Sequence, residues 1–257
     1  MKILMIGDVV GAAGCRCIQE NLFRIRKEFS ADAVIVNGEN SAVGNGMLPA
    51  SADLLFGSGA DIVTGGNHSF RRREIYAYLE EKPGCLRPAN VPEACPGTGF
   101  YILDMGKRRL AVINLIGQAY MDPNGCPFAA AEQLLKKADT PFVLVDFHAE
   151  SSGEKGAMGY FLDGRVSLVA GTHTHVQTAD EQILPGGTGF ITDIGMVGPV
   201  HSVLGIKPEL IVRKMTTHCP VRFEEGTGPC RFNGIFAELD DQTGKCLEIQ
   251  RIHRFFK

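Results

Sequence analysis

Ser167-Leu168-Val169-Ala170-Gly171-Thr172-His173-Thr174-His175 is an apolar, β-branched-rich run that stops at a glycine and is followed at once by two histidines with one residue between them. It reads as a strand that delivers imidazoles to its C-terminal end. On a helix, at about 3.6 residues per turn, the two side chains would diverge by roughly 200° and could not share a site. In extended backbone, alternate residues point the same way. The pair therefore makes chemical sense on a strand or in the loop just after it. Taken alone, His-x-His reads equally well as polar surface loop, so other segments must bring partners.

Such segments exist. Pro141 to His148 is another apolar strand ending in a histidine, with a helix over Ser152 to Leu162 between it and the opening stretch. At the amino end, Lys2 to Gly7 runs into Asp8, and a helix follows to about Phe29, with Ile18, Leu22, Ile25 and Phe29 on one face. Ala33 to Asn37 ends in Gly38-Glu39-Asn40, and Asp61 to Thr64 ends in Gly65-Gly66-Asn67-His68. Helices are predicted from Pro49 to Ser58, with proline near the first turn, and from about Arg71 to Glu81. Alternating strands and helices argue for an α/β fold whose ligands gather outside the carboxyl ends of the strands. Neither Gly-x-Gly-x-x-Gly nor Gly-Lys-Ser/Thr follows the first strand, so no phosphate-loop signature is met.

Past Pro83 an irregular connection leads to a hairpin, Phe100 to Asp104 and Arg109 to Leu115, and a helix is predicted over Phe128 to Ala138. Gly186 to Asp193 reads as a turn and strand, followed by a glycine-rich loop through Gly205. From Thr217 the pattern is β-rich, with strands at Cys219 to Phe223, Arg231 to Leu239 and Cys246 to Ile252. With no low-complexity linker and no internal repeat, one domain over residues 1–257 is the simplest organisation.

The net charge of −3 carries no footprint for DNA, RNA or an anionic membrane. No stretch is long and apolar enough to span a bilayer, and the first apolar run ends at Gly7-Asp8, too early for a signal peptide. Eight cysteines are scattered without a Cys-x-x-Cys, which points to a reducing cytoplasm. The Pro- and Gly-rich loops after Pro83 and Gly117 are where a homo-oligomer would bury surface.

Asp8, Glu39, Asn40, Asn67, His68, His148, His173 and His175 all fall at predicted strand ends. Asp and Asn suit caps and turns, and a lone histidine is usually structural. Five strands in one chain, each ending in a candidate ligand, point instead to a metal site. Imidazole nitrogens mixed with carboxylate and amide oxygens suit Mn, Fe or Zn. Two carboxylates, two divalent ions and a bridging hydroxide leave one positive charge, which a phosphodiester balances. Paired ions of this kind activate water and clamp the oxygens of an in-line displacement.

Gly7-Asp8, Gly38-Glu39-Asn40, Gly66-Asn67-His68, His148 and Gly171 to His175 resemble the ordered blocks of the calcineurin-like metallophosphoesterases. Met1 to Gly11, Arg87-Pro88-Ala89-Asn90 and Thr172 to Asp180 resemble, more narrowly, the YmdB-like branch, described as 2′,3′-cyclic-nucleotide 2′-phosphodiesterases. The likeness runs over essentially the whole chain. It implies a layered α/β/β/α sandwich, a small phosphodiester substrate and two divalent ions, Fe or Mn before Zn. It also implies ligand sets: Asp8, Glu39, Asn40 and His175 for one ion, Glu39, Asn67, His148 and His173 for the other, with His68 as general acid. Asp8-Val9-Val10 stands where the wider superfamily has Asp-x-His, and Asn40 is the implied substitute. Ser69-Phe70 departs from the branch's Thr-Trp. Glu150, Gln177 and Asp193 are expected as solvated loop residues, His201 as loop, and His218 and His253 as β-segment residues away from the site.

Two other readings remain open here. A phosphomonoesterase or 5′-nucleotidase would call for added cations, for which Arg71, Arg72, Arg73 and Arg87 are the candidates. A non-catalytic regulator would use the same surface to bind a nucleotide or partner protein.

Overall fold

The computed structural model describes residues 1–257. Along the chain its elements are β1 (Lys2–Ile6), β2 (Asp8–Val9), α1 (Gly11–Phe29), β3 (Ala33–Asn37), α2 (Pro49–Gly57), β4 (Ile62–Thr64), α3 (Ile75–Glu81), β5 (Phe100–Asp104) and β6 (Arg109–Ile116). There follow α4 (Pro127–Leu135), β7 (Val143–His148), α5 (Ser152–Leu162), β8 (Leu168–Thr172), β9 (Gln182–Ile183), β10 (Gly189–Ile191), β11 (Met196–Pro199), α6 (Pro208–Thr217), β12 (Cys230–Leu239) and β13 (Cys246–Phe256).

The strands form two sheets, one ordered β2-β11-β12-β1-β3-β4 with β13 beside β12, the other β5-β6-β7-β8-β10-β9. Strand alternation sets the layers. Ile3 and Met5 of β1 meet Leu110 and Val112 of β6, Leu144 of β7 and Leu168 of β8 between the sheets. Leu4 and Ile6 face the other way, onto Ile18, Leu22 and Ile25 of α1. In the second sheet Ile113, Val145, Phe147 and Val169 pack outward on Ala131 of α4 and on Met158 and Leu162 of α5. The result is α/β/β/α, and burial on both faces is why the parallel strands read as unbroken apolar runs. Truncating fully buried Leu22 to alanine would cost about 2–5 kcal/mol.

Several boundaries differ from the sequence reading. Helix α3 begins at Ile75 rather than Arg71, and α4 ends at Leu135. Cys219 to Phe223 forms no strand. The loop read through Gly205 contains β11, and the stretch beyond it, assigned no element from the sequence, forms α6, a helix with proline at its start, Glu209 in its first turn and Lys214 in its last. Those end signals are legible, and Ile211 and Met215 recur at helical spacing, although α6 buries none of its residues. His218 is the left-handed cap of α6 rather than a strand residue. No helix is long and apolar enough to cross a membrane.

Candidate metal centre

The carboxyl ends of the two sheets meet, and the predicted ligands meet there. Asp8, Glu39 and Asn67 follow β1, β3 and β4 of the first sheet; His148, His173 and His175 lie at or after β7 and β8 of the second. Potential ligand atoms of Asp8, Glu39 and His148 lie within 4.8 Å of one another, and all three side chains are buried. Asp8 Oδ2 accepts from the His173 N–H at 3.2 Å, whereas its Oδ1 is buried with no hydrogen-bond partner. A buried carboxylate oxygen left unpaired is costly and calls for a cation. Gly66 is needed here because a Cβ on it would stand 2.3 Å from Glu39 Oε2 and 2.4 Å from His148 Nε2.

The imidazoles present lone pairs to this space because their protons are used elsewhere. The Thr172 hydroxyl donates to Asp146 Oδ1 at 2.7 Å, so its oxygen accepts from His148 Nδ1–H at 2.9 Å. That leaves His148 Nε2 as a lone pair, 2.9 Å from Asn67 Oδ1, 3.3 Å from Glu39 Oε2 and 3.1 Å from His173 Nδ1. His173 Nε2–H faces Glu150 Oε2 at 3.0 Å, which makes its Nδ1 a lone pair as well. His175 Nδ1–H donates to the Leu204 carbonyl at 3.2 Å, freeing Nε2, which lies 3.8 Å from Asp8 Oδ1. These tautomers are assigned from hydrogen-bond partners. Acceptors brought this close with no hydrogen between them repel unless a cation lies among them, so the residues fit a metal site.

Electrostatics agree. Burial pushes His148 down to about 3. It also lowers His173 and His175, so the rings stay neutral, the form a metal ligand requires. Burial, then the neighbouring charges of Glu39 and Asp193, raise Asp8 well above the usual carboxylate range. Asp146 is pushed up to about 6 by burial, against hydrogen bonds from Thr64, Thr172 and Asn37.

Glu39 stands between two groups of donors. Asn40 Nδ2 donates to its Oε1 at 2.6 Å and lies 3.2 Å from His175 Nε2. On the other side Glu39 Oε2 approaches His148 and accepts from the His68 backbone N–H at 2.9 Å. His68 itself is partly exposed; its Nδ1 is 3.0 Å from Glu39 Oε1 and 2.9 Å from Asn40 Oδ1, and its Nε2 is 3.3 Å from Asn67 Nδ2.

Some expectations need correction. Of the two placements open to His173 and His175, the structure takes the loop just after β8 rather than extended backbone: both have positive φ, 102° and 65°. Non-glycine residues pay about 1–3 kcal/mol each for such strain, so something must hold the turn. Asp193, expected in a solvated loop, does this: it is fully buried, accepts from Thr174 N–H at 3.1 Å and Gly195 N–H at 2.8 Å, and pairs with buried Lys155 Nζ at 2.6 Å. Gln177 is likewise not a solvated side chain, since its Nε2 donates to the carbonyls of Ile194, Gly234 and Ile252. Glu150 remains half-exposed but touches His173. His253 lies on β13, bonded to Asn233, and exposed His201 lines no part of the site. Sequence reasoning passed over Asp146, Thr172 and Lys155; for Asp146 and Lys155 the available signal was a charge inside a segment otherwise reading as buried.

The donors open onto a cavity of about 380 Å³, bordered by Glu39, Asn40, His68, His173 and His175. No lysine or arginine lines it. Arg87, one of the candidate cations, is buried and donates to the carbonyls of Pro88 and Ala89, while Arg72 donates to that of Val43.

The chain and its fold are similar to those of known proteins. A Bacillus subtilis (strain 168) protein named 2′,3′-cyclic-nucleotide 2′-phosphodiesterase is 43% identical over 264 residues, covering 100% of both chains. The crystal structure of a hypothetical protein from Thermus thermophilus superposes with a TM-score of 0.94 at 39% identity, over 99% of each chain. That of a protein described as a novel phosphatase from Mycoplasma pneumoniae also gives 0.94, at 34% identity, over 99% of this chain and 93% of the other. The sequence model of the YmdB-like proteins matches residues 4–252, a span that takes in every strand end bearing a candidate ligand, and the chain belongs to that family.

Proposed function

We propose that the protein is a metal-dependent phosphodiesterase that hydrolyses 2′,3′-cyclic nucleotides to 3′-nucleotides. The observation that carries this reading is the convergence of imidazole lone pairs with the unpartnered Asp8 oxygen, which lies 3.8 Å from His175 Nε2 at the edge of a cavity free of lysine and arginine. The donor set suits divalent cations, Fe or Mn before Zn, and the lack of cationic side chains suits the single charge of a diester better than the higher charge of a monoester. The name of the Bacillus subtilis relative supports the substrate class.

In this reading Asp8, Glu39, Asn40 and His175 would hold one ion and Glu39, Asn67, His148 and His173 a second. Divalent ions supply Lewis acidity and lower the pKa of water. His68 gives a proton to the ribose O2′ as the P–O2′ bond breaks, so water's oxygen ends on phosphorus and the product carries a 3′-phosphate. Asn67 donates its amide N–H to the charge developing on the phosphoryl oxygens.

Elemental analysis of the purified protein, paired with turnover of 2′,3′-cyclic AMP and product identification, tests this. Two metal equivalents and 3′-AMP are expected, with a loss of about 10²–10⁴-fold in kcat for His68→Ala. Release of 2′-AMP, a preference for aryl phosphate monoesters over diesters, or no turnover by the loaded protein would overturn it.

A further inference from the structure

One excursion of the chain has no role in the core. Between β11 and β12 it makes a tight turn, the helix α6 and a return, and α6 buries none of its residues. The turn is closed by Val203 N–H to Ile206 O at 2.8 Å and Ile206 N–H to Val203 O at 3.0 Å. Its central residues, Leu204 and Gly205, have φ of 53° and 99°. Positive φ at both central positions is the signature of a type I′ hairpin turn, where Asn-Gly or Gly-Gly is favoured and a leucine is strained. Leu204 is also 49% exposed, so neither the backbone nor the core accounts for an apolar residue there.

The site accounts for it. The cavity that holds the ligand residues is also lined by Val10, Leu204, Ile206 and Phe223. The Leu204 carbonyl accepts from His175 Nδ1–H, which ties this turn to a ligand residue. The turn is seated on the return segment, with Lys207 N–H to Glu224 O at 3.0 Å and Gly226 N–H to Gly205 O at 2.8 Å, which brings Phe223 to the same rim. Phe223 is 41% exposed, and its ring is held by the Lys214 ammonium of α6, 5.1 Å from the centroid. The excursion thus delivers three of the five apolar side chains in a cavity otherwise lined mainly by polar and acidic residues. At about 380 Å³ the cavity falls within the range of small-ligand sites.

We propose that Leu204, Ile206 and Phe223 are the seat of the substrate's nucleobase. The inference rests on the phosphodiesterase reading given above and adds what recognises the part of the substrate remote from phosphorus. A seat of this kind takes the base by stacking and apolar contact, so it favours a nucleoside cyclic phosphate over a base-free one and tolerates different bases.

The test compares kcat/KM for 2′,3′-cyclic AMP with that for ribose 2′,3′-cyclic phosphate, using the metal-loaded protein. The wild type should favour the nucleotide by on the order of 10-fold or more. Phe223→Ala and Leu204→Gly should bring that ratio towards one, with the change in KM rather than kcat. Leu204→Gly suits the positive φ and retains the carbonyl that His175 uses, so its fold is safe, and Phe223→Ala removes a side chain outside the core. A wild-type ratio near one, or a ratio unchanged in both variants, overturns the seat. If the loaded protein turns over neither compound, the phosphodiesterase reading fails, and calorimetric binding of adenosine 3′-phosphate decides the seat by itself: at least tenfold weaker binding in Phe223→Ala supports it, and equal affinity overturns it.

Discussion

Replacing Thr172 by valine changes one hydroxyl into a methyl at a fully buried position. That hydroxyl donates to Asp146 Oδ1 and accepts from His148 Nδ1–H, so valine strands a buried donor and removes one of the side-chain donors that Asp146 shares with Thr64 and Asn37. A stranded buried N–H costs about 1–3 kcal/mol, and a hydrogen bond lost to a charged group about 1.5–3 kcal/mol. The sum, roughly 2.5–6 kcal/mol, is a large share of the ~5–15 kcal/mol that holds a typical protein folded. In a chain of this size it lowers Tm by about 5–20 °C. The second effect is more specific. Without Thr172 nothing fixes the proton on His148 Nδ1, and metal affinity should fall by about 10–100-fold. Thr172→Ser keeps the hydroxyl and should keep the affinity. Thermal melts and titration against a chromophoric chelator read both effects. If folded Thr172→Val binds metal as tightly as wild type, the tautomer argument is wrong.

Gly66→Ala should lower metal affinity at least tenfold in a folded protein, because its Cβ would stand within 2.4 Å of both Glu39 Oε2 and His148 Nε2; chelator competition measures it, and unchanged affinity would refute the close packing. Lys155→Met leaves the Asp193 charge buried and unpaired, which costs about 3–5 kcal/mol by urea unfolding, and a cost below about 1 kcal/mol would refute the pairing. Metal binding should release protons, and the sign follows from Asp8. Its folded pKa is raised, so in the metal-free protein the stability tied to its proton is present at low pH and is lost as pH rises through the raised value. A cation displaces that proton, so calorimetry in buffers of different ionisation enthalpy should find proton release on metal binding. His148, at about 3, adds none near neutral pH, and binding without proton release would contradict the assignment.

The candidate ligands could be picked out because each ends a compact apolar run, and in a parallel sheet ligands gather outside those ends. Their orientation was not. His148 depends on Thr172 one strand away, and Thr172 on Asp146, relations that become visible only when β7 and β8 pair with His148 beside Thr172. The left-handed backbone at His173 was not readable because the residue that holds it, Asp193, lies beyond the next strand and takes its own charge partner from α5. The excursion carrying α6 was missed for the opposite reason. Its helix has an amphipathic pattern and end signals, yet it meets no core, so the pattern there does not mark a packed element.

Asp146 belongs to the second sheet, yet it accepts from Thr64 and Asn37 of the first. The donors above it are divided between the sheets in the same way, with carboxylates and amides from one and imidazoles from the other. During synthesis this imposes an order of events. The amino-terminal strands can emerge and pair, but the cation-binding space does not exist until β8 has left the ribosome and the two sheets have docked. Early capture of a wrong ion by the nascent amino-terminal half is thereby disfavoured, since that half offers oxygen and amide donors without the imidazoles that complete the set.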